Sequence, residues 1–381
     1  MNVFNEDHQR FRQKVREFVQ KEINPYASDW EKKGGLPREL WKRMGEVGFL
    51  GMCYSKEYGG QQMHDSFAIV LVEELANSDC SGLVQTFAVH NEMTSTYLNH
   101  FGTHNQKKKY LQPCTTGAAI CAVAVTEPDA GSDVSAIQTH ATKDGNHYVL
   151  NGRKTYITNG YYGDIVITAA KTEPKAKPGY KGISLFIVER GTKGFVIEKK
   201  LEKLGTRASD TAELVYDNCL VPTENLLGVE NDGFKYIMAC FQRERLMAAV
   251  FALAGTQRMI RETIAHVKTL TLDGLPFSSL QLVKHKIVEM ASEYEMAKAF
   301  VYNCCEEYMV GRDMIKEISM AKYLIGELSQ RVARTCMQFY DGEGCLHSSF
   351  ICKSYADARL NTIAGGTTEI MKDIIAGKIG L

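Results

Sequence analysis

The sequence predicts an α+β fold made mainly of helices, with a β-rich segment between two helical ones. Near the start of the chain, apolar residues recur among charged ones at helical spacing, at Phe11, Val15, Phe18, Val19 and Ile23. Short strand-like runs separated by turn signals replace this pattern in the middle of the chain, and helical spacing returns in the last third. We therefore predict a helical domain over residues 1–118, a β domain over 119–232 and a helical bundle over 233–381.

Local patterns place the elements within each domain. Helices are predicted at 37–46, 66–77 and 91–101. Strands are predicted at 120–125, 139–143, 147–150, 165–170, 183–188, 195–198 and 212–216. Asp144-Gly145 lies between the second and third strands as a hairpin signal, and short strands at this spacing indicate a small barrel or sandwich. In the last domain, apolar residues spaced three or four apart predict the seam of a helical bundle, at Ile287, Ala291, Tyr294, Ala297, Val301, Cys305 and Tyr308.

Composition narrows the function classes. The 381 residues are 44% hydrophobic, enough for a substantial core, and carry 45 basic and 45 acidic side chains. A net charge of zero argues against a broad nucleic-acid or membrane surface, so neither partner is predicted. The 11 cysteines include no CxxC pair, and we recognise no secretory segment. We therefore expect reduced thiols in a cytoplasmic protein, and no metal site is predicted.

Two neighbouring motifs point to a ligand. A loop rich in Pro and Gly, TEPDAGSD at 126–133, follows the first strand, and NGRKTYITNG at 151–160 follows the hairpin. Together they offer small hydroxyl side chains, one aromatic ring and many backbone N–H groups. That combination suits a flat ring with polar edges.

The order and spacing of these motifs resemble the flavin-binding signature of the acyl-CoA dehydrogenases, and the resemblance runs along the whole chain. It implies an N-terminal helical domain, a middle β-barrel domain, a C-terminal four-helix bundle and FAD as cofactor. The residues matching the family's FAD contacts are Val125, Thr126, Gly131, Ser132, Tyr156, Thr158, Gln338, Gly342, Thr367 and Glu369. The hydroxyls of Thr126 and Thr158 are equally compatible with ordinary strand residues.

Glu244 is the predicted catalytic base. From its residues alone, the segment FQRERL at 241–246 is typical of a solvated helix glutamate between two arginines. The resemblance changes that interpretation, because the family needs a carboxylate to remove the proton α to a thioester. Most members carry it in a late motif, where this chain has Gly365. A branch that includes isovaleryl- and long-chain-type enzymes carries it at the position of Glu244.

Two further residues of the late motif have predicted roles. The resemblance implies that the backbone N–H of Gly365, with a ribityl hydroxyl of FAD, binds the thioester carbonyl as an oxyanion hole. A simple Gly-Gly turn is compatible with that role. Glu369 is the rival carboxylate, and we interpret it as structural, within the motif that covers the flavin.

The chain departs from the family pattern at the adenosine half of the FAD site. An arginine and an aromatic of the usual motif are replaced by Leu270 and Asp273, and Asp341 replaces a glycine beside Gln338 and Gly342. In the family, the motif in which Leu270 and Asp273 stand reaches the FAD of a neighbouring subunit. Loss of an arginine that meets phosphate predicts weaker or rearranged binding.

Substrate positions are also implied by the resemblance. Ser132 and Arg245 match positions near the thioester or pantetheine arm, and Val89 and Ala364 match positions in the acyl pocket. His90 and Asn91 follow Val89 and suit either a polar substrate or ordinary backbone contacts.

The resemblance is compatible with three functions to different degrees. Over its whole length the chain resembles the prolyl-carrier-protein oxidases, which act on a prolyl thioester held by a carrier protein in secondary-metabolite biosynthesis. The alternative is a short- or branched-chain acyl-CoA dehydrogenase that passes electrons to an electron-transfer flavoprotein. A non-catalytic binding protein is disfavoured by Glu244 and by the absence of a basic tail. The family implies a homotetramer, and either oxygen or a flavoprotein as the electron acceptor.

Overall fold

The protein is described by a computed structural model over residues 4–381. The N-terminal part is helical, and its first helix begins at a capping box in which the Asn5 side chain accepts the backbone N–H groups of Asp7 and His8. The helices are α1 Glu6–Phe18, α2 Ala27–Lys33, α3 Arg38–Glu46, α4 Ser66–Ala76, α5 Ser81–Phe87, α6 Ser95–Phe101, α7 His104–Gln106 and α8 Gln112–Thr115. A wider π-helical turn over Ala88–Thr94 joins α5 to α6.

The middle of the chain forms one eight-stranded mixed sheet. Its strands are β1 Cys121–Ala124, β2 His140–Asp144, β3 His147–Thr158, β4 Ile165–Lys171, β5 Ile183–Glu189, β6 Phe195–Lys200, β7 Thr211–Pro222 and β8 Leu226–Leu227. They pair in the order β6-β7-β3-β2-β4-β5-β8, with β1 parallel to β4. The predicted hairpin forms one residue later than expected, because Asp144 pairs with His147 and Gly145 takes the first turn position.

The C-terminal part returns to helices. They are α9 Gly233–Thr269, α10 Gln281–Met309, α11 Ile315–Gln338, α12 Phe350–Ala358 and α13 Thr368–Ile379. A small hairpin, β9 Thr271–Leu272 and β10 Leu275–Pro276, separates α9 from α10. In α10, Tyr294, Val301 and Cys305 of the predicted seam are buried. The order helical, β, helical confirms the predicted fold class.

Helix α9 contributes to two hydrophobic cores. Its first turns, with Tyr236, Ile237 and Cys240, belong to a core shared with the sheet and with α6. From Leu246 onward, it belongs to a second core shared with α1, α4, α10 and α11. The residues between these two stretches therefore lie where the three parts of the chain meet.

Two properties bear on the expectations from composition. All 11 cysteines are free thiols. Within residues 4–381, no helix combines the length and apolar character needed to cross a bilayer.

Gly117, in the turn that precedes the β domain, should tolerate no side chain. Its φ is +71°, and an added Cβ would lie 2.1 Å from the carbonyl oxygen of Trp41. We expect Gly117→Ala to lower the free energy of unfolding by about 3 kcal/mol, because strain and a backbone clash add. Gly145→Ala is the control: its φ is +55°, but the added Cβ meets no atom within 4 Å, so about 1 kcal/mol is expected. Equal losses in urea unfolding would contradict this account.

Candidate active site

The loop after β1 is fixed by a buried ion pair. Lys154 on β3 is 1% exposed, and its ammonium donates to the carbonyl of Val125 at 2.9 Å and to the carboxylate of Glu127 at 2.8 Å. Glu127 also accepts the backbone N–H groups of Gln138 and Thr139. Burial lowers the pKa of Lys154 to about 8, against the opposing effect of Glu127. The pair ties both ends of the 125–139 loop to the sheet.

Tyr156 is turned outward by a bulge in β3. The register with β7 shifts between Lys154 and Ile157, and Tyr156 has a φ of +58°, which is strained for an aromatic residue. Its side chain is 71% exposed. Next to it, the N–H of Thr155 donates to the carbonyl of Thr126 at 3.0 Å. The bulge therefore presents an aromatic ring beside the loop, as bulges near functional sites do.

Of the other residues predicted to contact the flavin ring, Thr158 ends β3 and the rest belong to the 125–139 loop. Ser132 and Gly131 are exposed, and Thr126, Val125 and Thr158 are half-buried. A Cβ built on Gly131 would meet no atom within 4 Å, so the space beside it is open. Accessible hydroxyls, an exposed ring and open space fit the isoalloxazine ring of FAD.

Glu244 is buried on α9, between the two cores. It is 5% exposed, and burial raises its pKa to about 8, against the effects of the Tyr97 hydroxyl and Arg245. Tyr97 on α6 donates to Glu244 Oε1 at 3.2 Å. A buried carboxyl with such a pKa is suited to exchange a proton near neutral pH. The interpretation from residues alone, a solvated glutamate, does not hold in this structure.

Arg243 and Arg245, on either side of Glu244, have different environments. Arg243 is 9% exposed and donates to Glu92 at 2.7 Å and to Asp65 at 3.0 Å. Arg245 is half-buried, and its guanidinium lies 5.3 Å from the ring centroid of Phe241. The Arg243–Glu92 pair ties α9 to the π-helical turn that carries Val89, which is buried.

The late motif forms a turn against the helical face that carries Glu244. Gly365 and Gly366 have φ of +66° and +102°, and a Cβ built on Gly365 would lie 3.6 Å from Ala248 Cβ, one helical turn after Glu244. Within the described chain, the N–H of Gly365 has no backbone acceptor. The buried ammonium of Lys322 donates to the carbonyl of Gly366. The turn thus offers a free N–H near the buried carboxyl.

The remaining residues of the late motif lie at the start of α13. Thr367 caps this helix and accepts the N–H of Ile370 at 3.3 Å. Glu369 is exposed in its first turn, and Ala364 is half-buried before it. Glu369 is exposed whereas Glu244 is buried, and this difference in burial separates the two carboxylates.

The fold does not bring Gln338 and Gly342 to the Glu244 site. Both are exposed at and after the end of α11. The neighbouring Tyr340 stacks on His266 with ring centroids 3.9 Å apart. On α9, His266 lies roughly 33 Å from Glu244 at about 1.5 Å per residue. Within one chain, these residues therefore belong to a separate surface.

The departure at Asp273 has a local conformational explanation. Leu272 pairs with Leu275 across a two-residue turn, in which Asp273 and Gly274 have φ of +51° and +78°. Two central residues with positive φ define a type I′ hairpin, for which Asp-Gly is a favoured sequence. Asp273 is exposed in this turn.

His90 and Asn91 bond to protein groups rather than face an open pocket. His90 is fully buried; its Nε2 bonds the Cys114 carbonyl at 3.1 Å, and its Nδ1 accepts the N–H of Cys121 at 3.1 Å. The ligand atoms of His90, Cys114 and Cys121 lie within 4.8 Å of one another. Because backbone groups occupy both ring nitrogens, this cluster is not suited to hold a metal ion. Asn91 accepts the N–H of Gly51 at 2.6 Å, so the ordinary-contact alternative describes both residues.

Comparisons with known proteins place the chain in a family. The N-terminal, middle and C-terminal domains of acyl-CoA dehydrogenase match residues 5–118, 122–219 and 231–380. The mitochondrial long-chain specific acyl-CoA dehydrogenase of Sus scrofa is 40% identical over 377 residues, which cover 99% of this chain and 87% of that protein. The chain therefore belongs to the acyl-CoA dehydrogenases, flavoenzymes that oxidise acyl thioesters and bind FAD.

Solved structures agree along the whole chain. The acyl-CoA dehydrogenase from Geobacillus kaustophilus has a TM-score of 0.97 and 42% identity, with both chains covered completely. The prolyl acyl carrier protein oxidase AnaB has a TM-score of 0.93 and 30% identity, again with complete coverage. The predicted acyl-CoA dehydrogenase fold, oxidoreductase class and FAD cofactor are thereby confirmed.

Sequence reasoning gave no role to Tyr97, Lys322 or the Glu127–Lys154 pair. Tyr97 stands 147 positions before Glu244 and carries no motif. Glu127 lies in the motif at 126–133 and Lys154 in the motif at 151–160. Their opposite charges in consecutive motifs were the only sequence signal for an ion pair. Lys322 belongs to no motif of the sequence.

Breaking the Glu127–Lys154 pair should destabilise the protein and loosen the 125–139 loop, called the flavin loop for its predicted role. We expect Lys154→Met to lower the free energy of unfolding by about 3 to 5 kcal/mol, because it leaves the Glu127 charge buried and unpaired. The double variant Glu127→Gln/Lys154→Met should lose less. Urea unfolding and FAD retention on dialysis measure the two effects. Lys109→Met, which removes an exposed pair with Glu189, is the control and should cost under about 1 kcal/mol; equal costs at both sites would contradict the account.

Proposed function

We propose that this chain is an acyl-CoA dehydrogenase in which Glu244 removes the proton α to the thioester carbonyl. The observation that carries the proposal is the burial of Glu244 with a pKa raised to about 8. The Gly365 turn packs one helical turn away on the same face. A base and a carbonyl-binding N–H are the two groups that this proton abstraction requires.

Each residue of the site has a step in this scheme. The Gly365 N–H binds the thioester oxygen and stabilises the negative charge that develops there as Glu244 takes the α proton onto its carboxylate. Ser132 and Arg245 hold the thioester and pantetheine arm, while Val89 and Ala364 line the acyl pocket. Exclusion of water by the bound acyl chain keeps the carboxylate basic.

Val125, Thr126, Gly131, Ser132, Tyr156 and Thr158 would hold the flavin ring of FAD, with Thr367 and Glu369 at the motif that covers it. When bound, FAD supplies the acceptor for the hydride that leaves the β carbon. The bulge at Tyr156 and the Glu127–Lys154 pair fix the protein side of this contact before the cofactor arrives.

The comparisons favour a CoA thioester as substrate over the carrier-bound prolyl thioester predicted from the sequence. Identity is 42% to the Geobacillus kaustophilus acyl-CoA dehydrogenase and 40% to the pig long-chain enzyme, against 30% to AnaB. Complete coverage by AnaB keeps a carrier-bound prolyl group as the second candidate substrate. Both candidates use the same base and the same carbonyl donor.

Assembly and electron acceptor are part of the proposal. Tyr340, between Gln338 and Gly342, stacks on His266, roughly 33 Å along α9 from Glu244. This separation supports a homo-oligomer, a homotetramer as in the family, in which Gln338 and Gly342 serve a neighbour's FAD. We propose an electron-transfer flavoprotein as acceptor for the acyl-CoA reaction, with oxygen as the alternative. A cytoplasmic location stays a prediction from the sequence.

Glu244→Gln should abolish flavin reduction while the protein keeps its fold and its FAD. The amide cannot take the α proton, so the rate of anaerobic bleaching should fall by roughly a thousandfold. Glu369→Gln is the matched control on the rival carboxylate and should retain a rate near that of the unsubstituted protein. Bleaching that survives the first change and is lost in the second would reverse the assignment.

The substrate class is tested by anaerobic bleaching of FAD-loaded protein. We expect acyl-CoAs from a series of chain lengths and branching to bleach the flavin, because the nearer relatives act on them. A prolyl-loaded carrier protein is mixed separately under the same conditions. Bleaching by the prolyl thioester alone would overturn the acyl-CoA proposal and establish the second candidate.

The rate of flavin reduction should depend on pH through Glu244. The base must be ionised to accept a proton, and its pKa is raised to about 8, so the rate at subsaturating substrate should rise as pH increases through about 8 and level off above it. Stopped-flow absorbance between pH 6 and pH 9.5 measures this profile. A rate independent of pH across that range would exclude a carboxyl with such a pKa as the base.

A further inference from the structure

We infer that Tyr97 is a positioning residue, whose hydroxyl orients Glu244 and sets the pH range in which it accepts a proton. The inference rests on the proposed role of Glu244 and extends it to a residue that belongs to no motif. Tyr97 Oη donates to Glu244 Oε1 at 3.2 Å. Within residues 4–381, this hydroxyl is the only hydrogen-bond donor to the carboxylate.

Both partners are held rigidly. Tyr97 has no exposed surface, and its ring packs in the core that α6, the sheet and the start of α9 share. Glu244 lies at the end of that core on α9. A buried ring on one helix thus holds one carboxylate oxygen of the other helix, and within residues 4–381 Oε2 receives no hydrogen bond.

The charge balance around Glu244 gives this bond its effect. Burial disfavours the ionised carboxylate, whereas a donated hydrogen bond favours it. The other ionisable groups near the pair are Cys240 and Arg245, both on α9; Lys322 on α11 faces Arg245. Arg243 points instead to Glu92 and Asp65. Arg245 stabilises the ionised base as a positive charge, and the Tyr97 hydroxyl stabilises it as a neutral hydrogen-bond donor.

Tyr97→Phe isolates the hydroxyl, because it removes one oxygen and keeps the ring. The hydrogen bond stabilises the ionised carboxylate, so its loss should raise the pKa of Glu244 by about one pH unit. Flavin reduction at pH 7 should then be about tenfold slower, with the high-pH plateau retained. Tyr54→Phe is the matched control: Tyr54 is a buried tyrosine whose hydroxyl donates to the Asn91 carbonyl at 2.8 Å, and its loss should leave the profile in place.

A readout that does not depend on turnover separates this inference from the proposed function. Infrared difference spectra of the resting protein follow the protonated carboxyl band that Glu244→Gln removes, and this band should titrate at higher pH in Tyr97→Phe. An opposite shift is expected when 3-fluorotyrosine, a stronger donor, replaces Tyr97. An unmoved titration, or a lower plateau with an unmoved profile, would overturn the inference. Flavin reduction that survives in Glu244→Gln would instead reject the base assignment, and the titration would still test the contact.

Discussion

Burial of α9, in which 18 of 37 residues are buried between Gly233 and Val267, is the constraint on which the rest of the structure depends. Its first turns complete a core with the sheet, and its later turns complete a core with the N-terminal and C-terminal helices. No other element contributes a long stretch to both. Glu244 lies where the helix passes from one core to the other, so the packing that joins the domains also removes this carboxyl from water. The same burial raises its pKa.

Buried charges at the domain junctions fix the surrounding loops. Lys154 and Glu127 hold the segment after β1, and Arg243 with Glu92 ties α9 to the π-helical turn. Such pairs add little net stability, because desolvation offsets much of their attraction. Their directional hydrogen bonds instead leave the loops few alternative conformations. The flavin loop and the acyl pocket would therefore be formed before any ligand binds, which lowers the cost of ordering them on binding.

The site is divided between two surfaces of one chain. The buried base and the Gly365 turn lie on the same face of α9, whereas Tyr340, between Gln338 and Gly342, stacks on His266 near the C-terminal end of that helix. The substitution at Asp273, interpreted from sequence as damage to phosphate binding, builds the tight turn of that hairpin. If both groups of residues contact FAD, as proposed, their separation on one chain is consistent with assembly into oligomers.

The sequence by itself determined the fold class, the family and the flavin cofactor. Hydrophobic periodicity and ordered motifs are local patterns, so they can be recognised in the linear sequence without the fold. It also pointed to Glu244, since Gly365 at the usual position of the base directs attention to the alternative one. The turn predicted at Asp144-Gly145 lies one residue too early, because the register depends on strand pairing rather than on the turn dipeptide. Only the tertiary structure decided that Glu244 is buried, that Tyr97 bonds it and that Lys322 bonds the Gly366 carbonyl. Those facts are contacts between residues distant in sequence, and burial arises when separate elements pack together.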